Sequence, residues 1–332
     1  MALRKKGQST LLPVKEIIDK KQSIVKHILN IIFVTTFIPL YGQNHIIPIV
    51  YLGDKGYTNI DSALIEPQNV EALWFGAYPD STKNKYIREI EARRNEFANL
   101  KYLYFTYDCN IDTIPDAFLL LPSLCVISSI GVPTLYPNGD KSVGQNIWGL
   151  NISCPENSDE NEWQNNIYAF KSIRVLSLSF PRSVEITENI NNLNNIEILN
   201  LFSRGDITYP KINNRLSKLK VFDISHCLTC RSFPDSLPQS IEEINIRYTR
   251  VSKLPDNIRS LQNLKYLDIG HSKIAEFPKD FNFNQLEYFD APGDLFTPGE
   301  WEEIQKKVKG TVVIGSDRTI KKGGCSPPKR QK

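Results

Sequence analysis

Ile241-Glu242-Glu243-Ile244-Asn245-Ile246 is followed 23 residues later by Leu264-Lys265-Tyr266-Leu267-Asp268-Ile269, and 22 residues after that by Leu286-Glu287-Tyr288-Phe289-Asp290-Ala291. Each stretch is apolar at its first, fourth and sixth residues and polar or aromatic between them. Alternation of this kind is the mark of a strand with one buried face. Working outward, the same pattern starts at Ile47, Val70, Leu100, Leu124, Ile147, Ile173, Ile196 and Leu219, at spacings of 22 to 30 residues. The fourth residues are Val50, Leu73, Leu103, Ile127, Leu150, Leu176, Leu199, Phe222, Ile244, Leu267 and Phe289. All are apolar, which a 41% hydrophobic composition gives by chance roughly once in 2 × 10⁴ trials. Of the sixth residues, only Ser129 and Ala291 are weak.

The second half of each unit repeats as well. Ile114-Pro115-Asp116-Ala117-Phe118, Phe233-Pro234-Asp235-Ser236-Leu237, Leu254-Pro255-Asp256-Asn257-Ile258 and Phe277-Pro278-Lys279-Asp280-Phe281 occupy matching places. Proline fixes φ for the first turn of a short helical or 3-10 segment, and the next apolar residue points inward. One unit offers about seven apolar side chains, each contributing ~1.5–3 kcal/mol on burial. Ordering its backbone costs ~1–2 kcal/mol per residue. A unit therefore cannot fold alone, but stacked units share cores and backbone ladders.

The pattern L-x-x-L-x-L at this period resembles the leucine-rich repeat family, with short bacterial and plant-type repeats, over about residues 45–315. The resemblance implies an α/β solenoid, or horseshoe. Its parallel sheet lines the concave face, and short helical or 3-10 segments lie on the convex side. The family usually places Asn eight residues after each repeat start. Here that position reads Lys55, Tyr78, Asp108, Val132, Pro155, Pro181, Arg204, Cys227, Thr249, Ser272 and Asp294, so other groups must satisfy the turn.

Irregularities mark the rest of the organisation. Tyr86, Ile87, Ile90, Arg94 and Phe97 recur at helical intervals and predict a full helix over 81–98. Residues 131–146 and 153–166 are rich in Gly, Pro, Asn, Asp and Glu and read as loops. The array of about eleven units runs over 43–294. A closing helix from Pro298 to Val308 and an edge strand at 311–314 make 295–316 a terminal cap. Residues 317–332, with Gly323-Gly324 and Pro327-Pro328, read as a disordered basic tail. At the other end, the polar, Lys-rich residues 1–27 precede the apolar run Ile28–Tyr41 and Gly42. These are the parts of a secretory signal peptide, too short for a stable membrane span. The expectation is export by a bacterium to the envelope or medium. The alternative is a cytoplasmic scaffold in which 1–42 form an N-terminal cap.

Between the buried positions, offsets of two, four, six and seven from each start should face outward. Near the N-terminus these are Tyr51, Trp74, Tyr102, Tyr104 and Tyr107; in the middle they are Asn151, Ser177, Asn200 and Phe202. The C-terminal units contribute Asp223, His226, Glu243, Asn245, Arg247, Tyr248, Tyr266, Asp268, His271, Tyr288 and Asp290. Tyr and Arg dominate binding hot spots, so the surface suits a protein or peptide partner. Arg247, Tyr248, Tyr266, Asp268, His271, Tyr288, Asp290 and Asp223 are the first candidates, with Trp74 and Tyr104 as a rival patch.

Charge argues against a nucleic-acid partner. Residues 1–42 and 317–332 each carry +5, leaving −7 on the body within a total of +3. Phosphate binding needs clustered cations on the folded surface. Six cysteines are too few for a disulfide scaffold, and the lone Cys227-Leu228-Thr229-Cys230 lacks the second pair of a zinc site. His226 and His271 share a column two repeats apart, too far to ligate one metal. No phosphate-loop, nucleophile-elbow or zinc-protease motif occurs. The sequence reads as a non-catalytic binding protein without a cofactor.

Overall fold

The computed structural model describes residues 56–105, 109, 111, 114–129, 144–154, 159–212, 214–314 and 318–321. The leader and the rest of residues 1–55, with Ile47 and Tyr51, lie outside them, as do Tyr107, the stretch 131–143 and residues 322–332. The strands are β1 (Gly56–Tyr57), β2 (Ala72–Phe75), β3 (Tyr102–Phe105), β4 (Val126–Ser129), β5 (Gly149–Ser153), β6 (Val175–Phe180), β7 (Val184–Glu185), β8 (Ile198–Ser203), β9 (Ile207–Thr208), β10 (Val221–Asp223), β11 (Glu243–Asn245), β12 (Tyr266–Asp268), β13 (Tyr288–Ala291), β14 (Thr311–Ile314) and β15 (Arg318–Lys321). Thirteen of them form one sheet in the order β1-β2-β3-β4-β5-β6-β8-β10-β11-β12-β13-β14-β15. All its pairings are parallel except β14 with β15. β7 and β9 pair separately at the outer bend.

The register follows the sequence repeat. Leu73, Leu103, Ile127, Leu150, Leu176, Leu199, Phe222, Ile244, Leu267, Phe289 and Val312 are successive partners across the sheet. None of them is more than 2% exposed. Ser129 and Ala291, the weak sixth positions, are buried like the others. A shift of one residue would turn this column to water, so the pairing is strongly fixed. The return segments are short: a helix at Asp116–Leu119 after Pro115, and 3-10 turns at Ile258–Ser260 and Phe283–Gln285.

Four expectations need correction. The strand beside β2 is Gly56–Tyr57, with Tyr57 opposite Leu73; Val50 and Leu52, expected in that strand, lie outside the described residues. A helix at Ile60–Ile65, capped by Asn59, fills the shortened connection. The long helix ends at Ala92, not Ala98, because Arg93 turns out of it to bind Glu96 and the Leu64 carbonyl. Within the supposed loop 153–166, Asp159 accepts from the backbone N–H groups of Asn161 and Glu162 and starts a helix at Glu160–Ile167. That helix buries Trp163, Gln164 and Ile167. Finally, residues 318–321 are not a disordered tail: they pair antiparallel with β14, giving the last parallel strand the backbone partner an edge lacks.

Other groups satisfy the turns in place of the family's Asn. At the position where the family carries Asn, the Cys227 thiol donates to the Leu201 carbonyl and accepts from the Ser203 N–H. Thr249 Oγ1 donates to the Ile246 carbonyl at 2.8 Å. A second ladder stands one residue before six of the repeat starts. Asn99, Ser123, Asn195, Ser240, Asn263 and Gln285 each donate to a carbonyl 21 to 31 residues earlier in the chain. The N-terminal stretch of the closing helix, Pro298–Lys307, carries a capping box between Thr297 and Glu300. Its Trp301 packs on Phe289 and Phe296 and closes that end of the core.

Candidate binding face

On the last units, the side chains between core positions form columns, because consecutive parallel strands bring equal offsets into register about 4.8 Å apart. At offset two stand Val221, Glu243, Tyr266 and Tyr288. The Tyr266 and Tyr288 rings stack with centroids 4.3 Å apart and planes 5° from parallel. At offset four stand Asp223, Asn245, Asp268 and Asp290. Three of these bond the backbone N–H two residues on: Asp223 with Ser225, Asn245 with Arg247, and Asp268 with Gly270. The short polar side chains thus hold the strand exits.

At offset seven, His226, Tyr248 and His271 have φ of 63°, 56° and 54°. The left-handed region costs a residue with a Cβ roughly 1–2 kcal/mol. Three such residues in consecutive units are held by their surroundings. His226 N–H donates to the Arg247 carbonyl and Tyr248 N–H to the Gly270 carbonyl. The rings lie in one row, with His226 to Tyr248 at 4.8 Å and Tyr248 to His271 at 4.4 Å. The two histidines stand on either side of Tyr248, as their spacing required. The sequence had placed all three in the exposed column without signalling the backbone conformation; consecutive bulky residues at a turn position were the available signal.

Between the two aromatic columns lies Arg247. Its Nη1 donates to Asp290 and sits 3.5 Å from Asp268 Oδ1, while Cζ lies 4.9 Å from the Tyr248 ring centre. Asp268 is 3% exposed and Asp290 1%. Here the expectation fails: these carboxylates are not exposed edges of a patch but a buried seam. Offset fixes the face of a residue, not its depth, and the neighbouring Tyr and Arg side chains are long enough to cover a short Asp. It follows that Tyr248 belongs to a different column from Tyr266 and Tyr288, joined to them through the seam.

Burial sets the protonation of the seam. It pushes Asp268 up to about 7, helped by the charge on Asp290, although Arg247 and the Gly270 N–H pull downward. Asp290 rises to about 6 by burial, with Arg247 opposing. Glu243 reaches about 7 through burial and the charge on Asp223. Burial disfavours the charge on Arg247, but Asp268 and Asp290 outweigh it and raise its pKa. Burial and the Arg247 charge lower the pKa of His226, which keeps that imidazole neutral at pH 7.

The rival patch is smaller. Trp74 and Tyr104, in neighbouring strands, stack at 4.3 Å and 14° and are half-buried. Among the described residues no three His, Cys, Asp or Glu side chains are grouped to hold a metal ion, and no helix is long and apolar enough to cross a membrane.

Eleven parallel partners at one core position, repeated every 22 to 30 residues from Leu73 to Val312 and each returning through a short outer segment, decide the architecture. The chain has the leucine-rich repeat fold. No family model matches it. A 145-residue stretch, 42% of this chain, is 36% identical to the disease resistance protein RPS6 of Arabidopsis thaliana. The leucine-rich repeat chain covers 13% of that relative's length. Among solved structures, an internalin from Listeria monocytogenes is similar at 16% identity and a TM-score of 0.47, over 69% of this chain and 72% of the other. A leucine-rich repeat protein of Leptospira interrogans is similar at 18% identity and a TM-score of 0.43, over 71% and 70% of the two chains.

Proposed function

We propose that this leucine-rich repeat chain is a non-catalytic recognition protein that docks a protein or peptide partner on the sheet face of its C-terminal units. The observation that carries this reading is the pair of stacked aromatic columns fixed on either side of the Arg247 seam. Rigid, half-buried aromatic rings lose little conformational freedom on binding and present large contact areas. Buried charges between them hold the rings in place and set the orientation of a partner. Affinity capture of partners with the folded chain, repeated with Tyr248 and Tyr266 both replaced by Ala, tests the reading. The partners retained by the wild type are expected to be lost. Equal retention by the variant would remove this face from the proposal.

We also propose export, on the strength of the basic and apolar leader. N-terminal sequencing of the natively expressed protein after fractionation should find a chain starting near Gly42. Soluble cytoplasmic protein that retains residues 1–27 would sink this part. A second reading, an intracellular scaffold, is favoured by one observation: Cys125, Cys227 and Cys230 are free thiols, although Cys227 and Cys230 lie close in sequence.

A further inference from the structure

Glu243 is 5% exposed, yet among the described residues its carboxyl forms no hydrogen bond or ion pair. Its column neighbours are Val221 and Tyr266, and neither offers a cation. Asp223 lies diagonally beside it, with one oxygen accepting from the Ser225 N–H and the other from Asn245 Nδ2. Nearby cations are engaged elsewhere: Arg247 by Asp268 and Asp290, and Lys220 and Lys265 by Glu242. The face therefore sets four carboxyls, of Asp223, Glu243, Asp268 and Asp290, against one guanidinium. A buried carboxyl without a partner is costly, and an arriving cation relieves that cost.

We propose that Glu243 and Asp223 form a subsite for a cationic side chain, the lysine or arginine of a peptide or protein partner, with its alkyl stem along the Tyr266 ring. This rests on the recognition role proposed above and names the chemistry of the partner. The shape of the site favours a side chain over a bare metal ion. Both Asp223 oxygens are already used, and no third ligand stands beside the pair. A lysine or arginine instead brings its own apolar stem, which suits a carboxyl set between Val221 and a tyrosine.

The test is a selection of displayed random peptides on the folded full chain, followed by affinity measurements on enriched clones. Enriched peptides should share a lysine or arginine at one position. Glu243→Gln should weaken them about tenfold or more, as expected for loss of a charged hydrogen bond, whereas Lys85→Ala, on the exposed side of the helix Asp80–Ala92, should leave them unchanged. In a synthetic copy of one clone, norleucine in place of the shared lysine, or citrulline in place of an arginine, should weaken binding to the wild type but add little against Glu243→Gln. Enriched peptides without a shared cation, or undiminished binding by Glu243→Gln, would overturn the subsite and leave the recognition role standing. If no peptide is enriched, the recognition role itself fails, and the subsite with it. Should Glu243→Gln not fold, the neutral-analogue peptide against the wild type decides alone.

Discussion

Arg247 reaches over Gly270 to bind Asp290, two repeats away from its own strand. A Cβ built on Gly270 would lie 2.7 Å from Arg247 Nη1 and 2.8 Å from Asp290 Oδ1. Glycine is therefore required here by close approach and not by its backbone angle. The pair ties together three units whose other contacts are mostly with immediate neighbours, so it adds coupling along a nearly one-dimensional array. Gly270→Ala should force the guanidinium aside and strand two buried carboxylates. We expect a loss of roughly 1–3 kcal/mol, read as a lowered denaturant midpoint. A midpoint equal to wild type would mean that Arg247 has a second comfortable seat.

The seam should make stability depend on pH in an unusual direction. Folding raises Asp268 from 3.8 to about 7, Asp290 from 3.8 to about 6 and Glu243 from 4.5 to about 7. The folded chain then binds more protons than the unfolded one across this range, so the contribution is fully present below about pH 4 and is lost as pH rises through 6 to 7. The melting temperature should fall between pH 5 and pH 8. Asp268→Asn, which keeps an acceptor for the Gly270 N–H, should flatten the slope and raise stability at pH 8. An unchanged slope in Asp268→Asn would show that this carboxyl titrates normally.

The sequence made the core column legible because apolar residues at fixed offsets have no competing explanation over eleven units. Leu73 through Phe289 fall where the alternation puts them. Depth on the other face was not legible: Asp268 and Asp290 share their offset with the half-buried Asp223, but Arg247 lies against both of them. The register failed at the first strand, where a short connection through the helix at Ile60–Ile65 breaks the period. The ladder of Asn99, Ser123, Asn195, Ser240, Asn263 and Gln285 stands in the sequence one position before six of the eleven starts. Asn and Ser at the end of a unit read equally well as turn residues, so their composition does not mark the carbonyl they bond.

Cys227 offers a direct test of how that position is satisfied. Its sulfur serves both the Ser203 N–H at 3.2 Å and the Leu201 carbonyl at 3.4 Å in a fully buried turn. Cys227→Ala should leave a buried donor and acceptor unpaired, at a cost of roughly 1–3 kcal/mol. Cys227→Asn supplies a donor and an acceptor again and should recover part of that loss. The comparison is made by chemical unfolding of the three proteins under reducing conditions. If Ala and Asn behave alike, the thiol contributes volume and not hydrogen bonds.

The two aromatic patches make competing claims on a partner, and the geometry separates them. Trp74 and Tyr104 form one stacked pair. The C-terminal face has two rows, Tyr266 with Tyr288 and His226 with Tyr248 and His271, separated by buried charge. Apolar rings exclude water around the seam, and in that drier setting a charged contact gains strength. Arg247 is a poor probe of this face, because removing it uncovers Asp268 and Asp290 and disturbs the fold. Tyr248 and Tyr266 are better, being half-buried and outside the shared core. Replacing both with Ala should weaken a captured partner by ~2 kcal/mol or more, with the melting temperature nearly unchanged. The paired control is Trp74→Ala with Tyr104→Ala, measured by titration calorimetry against the same partner. If the control alone abolishes binding, the partner docks at the N-terminal units, and the C-terminal rows serve only to hold the turns in their left-handed conformation.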